Sequence, residues 1–313
     1  MAEIPFPAWD PVLLHLGPLQ LRWYAVGYLF GFIAGMSILQ RLARARVFPI
    51  APEKVPDLLF WLILGVMFGG RIGYCLFYKP ELFLTWRVIA VWEGGLSFHG
   101  GLLGVVVASI LWSWSQRLSA WRVLDCMALA TTPGVFAVRI ANFINGELYG
   151  RVTDETVPWA MRFPSDPIAL NKLGIIGGMG IRDRDAALRE AIESGAWERI
   201  RDQVPLRHPS QLYEALGEGL LLGLVLLVVY LATRRKPLGS GVYGGIFALG
   251  YGGVRFVVEY FRQPDAQFRD AEDPLGTVIG SFTMGQVLCA AMIAYGLAVI
   301  LFRWKRREGL AET

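Results

Sequence analysis

The stretch RIANFINGELYGR places Arg139, Asn142, Asn145 and Glu147 at the end of an otherwise apolar run. Arg139 and Asn142 are three residues apart, and Asn145 continues the same helical face. A second set, Tyr251, Arg255 and Glu259, repeats at intervals of four and lines one face of another helix. Two guanidinium groups suit an anionic phosphate, because each fork donates bidentate hydrogen bonds and stays charged. Amides and a carboxylate beside them can orient hydroxyl groups. His99 adds a side chain whose unperturbed pKa of about 6.5 suits proton transfer near neutrality. Taken singly, each residue also has a structural reading: an arginine head reaching the headgroup level, an internal Arg255–Glu259 ion pair, a histidine bonded to backbone.

The surrounding elements are apolar. Hydrophobic residues make up 54% of the 313, only 18% are charged, and the mean hydropathy is +0.44, too apolar for an ordinary soluble domain. A spanning helix needs about 20 apolar residues, and on that measure the sequence predicts an all-α polytopic membrane protein with about seven transmembrane helices. The runs fall at roughly 18–40, 57–78, 97–116, 122–145, 209–233, 241–262 and 280–303. Nothing before Arg22 is basic, so the first run is not expected to be a cleaved signal peptide.

Lys and Arg collect on alternate connections: Arg41, Arg44, Arg46 and Lys54; Arg117 and Arg122; Arg234, Arg235 and Lys236; Arg303, Lys305, Arg306 and Arg307. The short connections of the opposite set carry little: Lys79 and Arg87 after the second run, and Arg262 and Arg269 after the sixth. The positive-inside rule then puts the N-terminus outside and the C-terminus in the cytoplasm. Residues 1–145 would hold helices one to four, 146–208 a small outer-face insert, and 209–313 helices five to seven with a basic cytoplasmic tail. Within the insert, Asp183 to Asp202 reads as one amphipathic helix, packed on its own domain in preference to lying at the surface against lipid or a peptide.

The net charge of +4 and pI near 9.0 belong to the inner flanks and require no nucleic-acid partner. Cys75, Cys126 and Cys289 lie inside apolar runs without paired spacing, so neither a disulfide framework nor a metal site is expected. His15 and His208 fall outside the helices, and no HExxH pattern suggests a catalytic metal. Gly27, Gly31 and Gly35, spaced by four, form a groove for close helix approach. The glycines around Gly69 to Gly73 and Gly241 to Gly253 suit either close packing or room for a lipid.

An ionisable group inside a span costs at least about 2.5 kcal/mol when exposed to lipid, so several at one depth mark a site. Arg139 follows Arg122 by a rise of about 25 Å, and Arg255 follows Gly241 by about 21 Å, both in the outer part of the membrane. Glu259 is one turn farther out, Arg71 lies in the outer half of the second run, and His99 and Tyr24 stand near the tops of the third and first.

The same residues resemble the bacterial prolipoprotein diacylglyceryl transferase family. The likeness runs through RWYAVGYL from Arg22, GGRIGYCLFY from Gly69, EGGLSFHGGLLG from Glu93, RIANFINGELYGRV from Arg139, HPSQLYEA from His208 and YGGVRFVVEYFRQPD from Tyr251. Val138 and Ala141 depart from it, standing where the family usually has glycine. The resemblance implies transfer of a diacylglyceryl group from phosphatidylglycerol to the lipobox cysteine of a preprolipoprotein, with release of sn-glycerol 1-phosphate and no cofactor. It implies a bacterial cytoplasmic (inner) membrane location with the site towards the periplasmic face. Carried over by position, the essential histidine falls on His99, the phosphate-handling arginines on Arg139 and Arg255, and supporting residues on Tyr24, Asn142, Glu147, Gly150, Tyr251 and Glu259. Asn145 and Arg71 join the substrate-binding set by face and depth. Either His99 or the arginine field would ionise the thiol. An anionic-lipid transporter or flippase is the alternative, but transport favours polar residues in both membrane halves, and the inner halves here are mostly apolar.

Overall fold

The computed structural model describes residues 4–16, 19–91, 95–175, 178–236, 238–263 and 276–304. A short antiparallel hairpin, β1 (Val12–Leu16) and β2 (Leu19–Arg22), leads directly into α1 (Trp23–Arg44). Then come α2 (Val55–Tyr78), α3 (Phe98–Ser115) and α4 (Ala120–Ile144). The insert contributes α5 (Pro167–Lys172), α6 (Ile181–Glu193) and α7 (Ala196–Ile200). Next, α8 (Ser210–Glu214) passes through a π-helical segment, Ala215–Leu221, into α9 (Leu222–Thr233). The chain continues as α10 (Val242–Val258), a minimal hairpin of β3 (Thr277–Ile279) and β4 (Phe282–Thr283), and α11 (Met284–Arg303).

Every expected apolar run contains a helix. Five helical stretches, Trp23–Arg44, Pro52–Leu76, Ala120–Ile144, Ser210–Thr233 and Met284–Arg303, are long and apolar enough to cross a membrane, whereas Gly100–Ser115 and Val242–Val258 are shorter. The protein is therefore a mostly helical, multi-pass membrane protein. Leu29, Phe60, Leu103 and Val228 lie exposed on these helices, as lipid-facing side chains do.

By its internal contacts the chain divides into two compact units. One comprises 32–131, 226–247 and 296–313. Its core gathers Leu39, Phe48, Val55, Leu58, Trp112 and Val123, and the Trp112 Nε1 donates to Asp57 at 2.8 Å. Asp125 caps the start of α10 in place of a local residue, accepting from the backbone N–H of Gly241 at 2.7 Å and Gly244 at 2.8 Å. Arg303 donates to the Ser240 carbonyl at 2.5 Å while its guanidinium lies 4.6 Å above the Trp121 ring.

In this unit α2 and α3 meet backbone to backbone. A methyl placed on Gly69 would sit 2.7 Å from the Gly104 Cα, and one on Gly104 would press on the Gly65 carbonyl, 3.0 Å from the Gly69 Cα. Backbone cannot move aside as a side chain can. Gly104→Ala is therefore expected to destabilise by about 1–3 kcal/mol, as overpacking does, read as a lower thermal midpoint in detergent. Gly253→Ala, with nothing within 4 Å of the added methyl, should leave the midpoint unchanged.

The other unit comprises 1–31, 132–225 and 248–295. Here the small-residue groove of α1 receives α4: Gly27 faces the Ala137 carbonyl and Gly31 the Gly134 Cα, at 3.2 and 2.9 Å from the added-methyl positions. Ala141 comes within 3.7 Å of the same position on Gly27, an ordinary contact, so alanine fits where the resemblance expects glycine. Gly250 and Gly252 are likewise packed, against Leu222 and Cys289. Close packing, not lipid room, therefore accounts for most of the glycines tested.

The insert builds two small cores, one of Phe143, Met161 and Phe163 and one of Ala169, Trp197 and Val204. The single amphipathic helix expected over Asp183 to Asp202 is instead two helices. Gly195 adopts φ +71° and breaks it, because a left-handed residue cannot continue a right-handed helix. α6 is held to the N-terminal segment by Arg22–Asp185 and Arg189–Asp10 ion pairs.

Candidate active site

The site grows from the end of α4. Gly146, at φ +62°, ends the helix with its N–H on the Phe143 carbonyl at 2.9 Å, and the Glu147 N–H returns to Asn142 at 3.1 Å. This is the Schellman arrangement that a glycine at this position permits. It turns Glu147 back over the helix end. The Asn142 amide donates to Glu147 at 3.1 Å, and the Tyr24 hydroxyl donates to the same carboxylate while accepting from Asn142. Three residues expected from sequence thus form one hydrogen-bonded chain joining α1, α4 and the following loop. Asn145 follows them, its side-chain oxygen buried without a hydrogen-bond partner among the described residues.

One turn back on α4, Arg139 meets carboxylates that sequence reasoning did not single out. Its Nη1 lies 3.2 Å from Glu214 and its Nη2 3.2 Å from Glu218, both glutamates having no exposed side-chain surface. Tyr251 accepts a hydrogen bond from Arg139. Arg255 pairs with Glu214 through Nη1 and with Glu259, 3.0 Å from Nη2. Arg262 closes the set, 3.6 Å from Glu214. Arg139 and Arg255, proposed from separate helices, therefore meet on one carboxylate.

The π-helical segment explains how that carboxylate arrives. Gly217 packs on Val254 of α10, and Gly219 sits so close to α4 that an added methyl would lie 2.6 Å from the Phe136 Cβ. A widened turn pinned between these helices carries Glu214 and Glu218 to the arginines, and π segments recur at functional sites. A sequence signal existed. Glu218 is an ionisable residue within the fifth apolar run, and the rule that selected Arg139 selects it too.

Gly150 is a crossing point. Its N–H donates to the His208 carbonyl at 2.8 Å, and a methyl there would strike the Phe261 carbonyl and come within 2.8 Å of the His208 Cβ. The neighbouring Arg151 donates to Phe261, Arg262 and Glu259 carbonyls. Gly150 thus ties the insert to the end of α10, and no larger residue fits. Beside it, His208 Nδ1 stands 3.1 Å from the Tyr213 hydroxyl, which also accepts from Trp159 at 2.6 Å. Burial holds the His208 imidazole below its ordinary value, with Asp154 opposing, while hydrogen bonds from Thr156 hold Asp154 low. Buried Arg207, 2.5 Å from Asp166 and stacked on Tyr149, anchors the same region.

Arg71 and the backbone of His99 belong to the other unit. Arg71 is buried and donates to the Arg87, Val88 and Gly95 carbonyls at 2.5 to 3.2 Å, so its guanidinium has a structural use within this unit. His99 occupies the first turn of α3, which Ser97 caps through the Gly100 N–H; its side chain lies outside the described residues, as do Glu93, Arg269 and the tail from Lys305.

Fold and site together define a polytopic membrane protein with arginines buried against carboxylates in its apolar helices, an arrangement suited to handling an anion away from water. The sequence profile of the prolipoprotein diacylglyceryl transferase family matches residues 11–302. A phosphatidylglycerol–prolipoprotein diacylglyceryl transferase of Burkholderia orbicola is 40% identical, with 98% of each chain covered. Those of Ruegeria pomeroyi and Cereibacter sphaeroides are each 42% identical over 96% of this chain, covering 97% and 98% of their own. The chain belongs to the prolipoprotein diacylglyceryl transferase family.

Proposed function

We propose that the protein is a transferase that moves the diacylglyceryl group of phosphatidylglycerol onto the lipobox cysteine thiol of a preprolipoprotein, the first step of bacterial lipoprotein maturation. The observation that carries this reading is the pair Arg139 and Arg255 converging on buried Glu214 inside apolar helices. Family membership supplies the reaction. The thiolate attacks the glyceryl carbon that bears the phosphate ester, a carbon–sulfur bond forms, and the carbon–oxygen bond breaks. sn-Glycerol 1-phosphate leaves with the electron pair. Arg139 and Arg255 stabilise the charge that grows on the phosphate oxygens. A thiol is a poor nucleophile until it loses its proton, and His99 is the proposed acceptor. Tyr24, Asn142, Asn145, Glu147, Tyr251 and Glu259 are assigned to holding the headgroup and the arginines, Gly150 to joining the insert to the residues after α10, and Arg71 to the lipid side of the site.

The protein is further proposed to span the bacterial inner membrane with all seven apolar helices, N-terminus outside and C-terminus in the cytoplasm, with the 146–208 insert and the reaction on the periplasmic side. The excess of Lys and Arg on alternate short connections supports this orientation. Incubating the purified protein with phosphatidylglycerol and a lipobox peptide should give a diacylglyceryl mass gain on the cysteine. Movement of lipid between leaflets without that gain would favour a transporter instead.

A further inference from the structure

Glu259 is held from two sides. Its Oε2 lies 3.0 Å from Arg255 Nη2, and its Oε1 accepts a hydrogen bond from the Thr283 hydroxyl at 3.1 Å. Thr283 ends β4 and immediately precedes α11. Its hydroxyl accepts from the Gln286 N–H at 3.3 Å, while the Gln286 side-chain oxygen accepts from the Thr283 N–H at 3.1 Å, the reciprocal pair of a capping box. A hydroxyl carries a single proton. With the Gln286 N–H on one of its lone pairs, the Thr283 hydroxyl turns that proton to Glu259. Gly285, in the first turn of α11, lies against the same carboxylate: a methyl there would sit 2.6 Å from Oε1 and 3.1 Å from Oε2. Glu259, Thr283 and Gln286 are all buried, and the positive end of a 20-residue helix favours an anion at this place.

We propose that the start of α11 positions Arg255: Thr283 and Gly285 fix the plane of the Glu259 carboxylate, which in turn aims the Arg255 guanidinium at the phosphate of phosphatidylglycerol. The inference rests on the reading of Arg255 as phosphate-binding. Neither residue touches the lipid; each acts through Glu259 and is a positioning residue. The terminal torsion of a glutamate is intrinsically broad, so only contacts fix the plane of its carboxylate. Thr283 supplies the second contact, and Gly285 leaves the room for it. A guanidinium meets a planar acceptor in fixed directions, so a rotated Glu259 turns Arg255 with it. Glu214 holds Arg255 through Nη1, and the fork is aimed only while both carboxylates stay in place.

The test measures transfer by the full chain in mixed micelles, varying phosphatidylglycerol and lipobox peptide separately, together with the thermal midpoint of each variant. Thr283→Val keeps the shape and removes the hydroxyl. It is expected to raise the KM for phosphatidylglycerol by about tenfold, the factor that one hydrogen bond to a charged group is worth, and to leave the KM for the peptide unchanged. Thr283→Ser should restore the lipid KM. Gly285→Ala introduces the best helix former, and its methyl is accommodated by moving the carboxylate, the far end of a side chain. It should raise the lipid KM without lowering the midpoint. Gln286→Leu breaks only the bond to the Thr283 N–H, so it should lower the midpoint and leave both KM values alone. Residues needed only for structure would lower the midpoint and the maximal rate with both KM values unchanged. An unchanged lipid KM in folded Gly285→Ala overturns the inference, and this variant decides alone should Thr283→Val not fold. Arg255→Lys separates the two readings. Normal lipid KM and rate in that variant would remove the phosphate role of Arg255 itself, whereas an impaired Arg255→Lys beside a normal Gly285→Ala would remove only the role of α11.

Discussion

Arg139→Lys is expected to fold and to lose transfer activity by about 10²- to 10³-fold, the range seen when one preorganised donor to a developing anion is removed. The ammonium keeps the positive charge beside Glu214 and Glu218, which lie on different nitrogens of the native guanidinium at 3.2 Å each. It cannot keep the fork. A single point donor reaches one carboxylate or the phosphate, not two acceptors in fixed directions. Arg139→Gln goes further by leaving two buried carboxylates without this partner, a change that typically destabilises by about 3–5 kcal/mol. The glutamine variant should therefore lose thermal stability as well as transfer. Mass analysis of the lipobox peptide and thermal denaturation of each variant separate the effects. Near-normal transfer by the lysine variant would reduce Arg139 to a structural ion pair.

Replacing His99 by Asn or Gln should lower transfer by about 10²- to 10⁴-fold if it accepts the thiol proton, the usual contribution of general-base catalysis. The amides preserve hydrogen bonding and remove basicity, so the variant isolates proton transfer from positioning. Alkaline pH should recover part of the rate, because a thiol with an unperturbed pKa of about 8.5 ionises increasingly without help. Thermal stability should change little. Near-normal transfer in the purified variants would end the general-base role and leave the arginine field to ionise the thiol.

Much of the architecture was legible because membrane helices write themselves as apolar length. Runs near 18–40, 57–78 and 122–145 became α1, α2 and α4 with boundaries shifted by a few residues. Face spacing also singled out Arg139, Asn142, Arg255 and Glu259, whose side chains take part in ion pairs or hydrogen bonds in the structure. What escaped depends on contacts between distant segments. Glu214 and Glu218 reach Arg139 through a π turn, which no hydrophobic period announces. Glu147 joins Tyr24 because Gly146 reverses the chain, and the value of that reversal appears only when α1 stands beside it. Arg71, chosen by its expected depth, donates to three backbone carbonyls from the following segment, contacts that a helical position cannot announce. The break at Gly195 was readable from a glycine within the helical pattern, but the apolar spacing on either side outweighed it.

The central claim, that buried arginines serve displacement of a lipid phosphate by a thiolate, is tested most directly by following both products at once. Purified protein is incubated with a lipobox peptide and phosphatidylglycerol labelled in its headgroup glycerol. One labelled glycerol phosphate should be released for each diacylglyceryl thioether formed, and both should fall together in Arg139→Lys. Label released without thioether, or thioether formed with the phosphate retained on the peptide, would contradict the account.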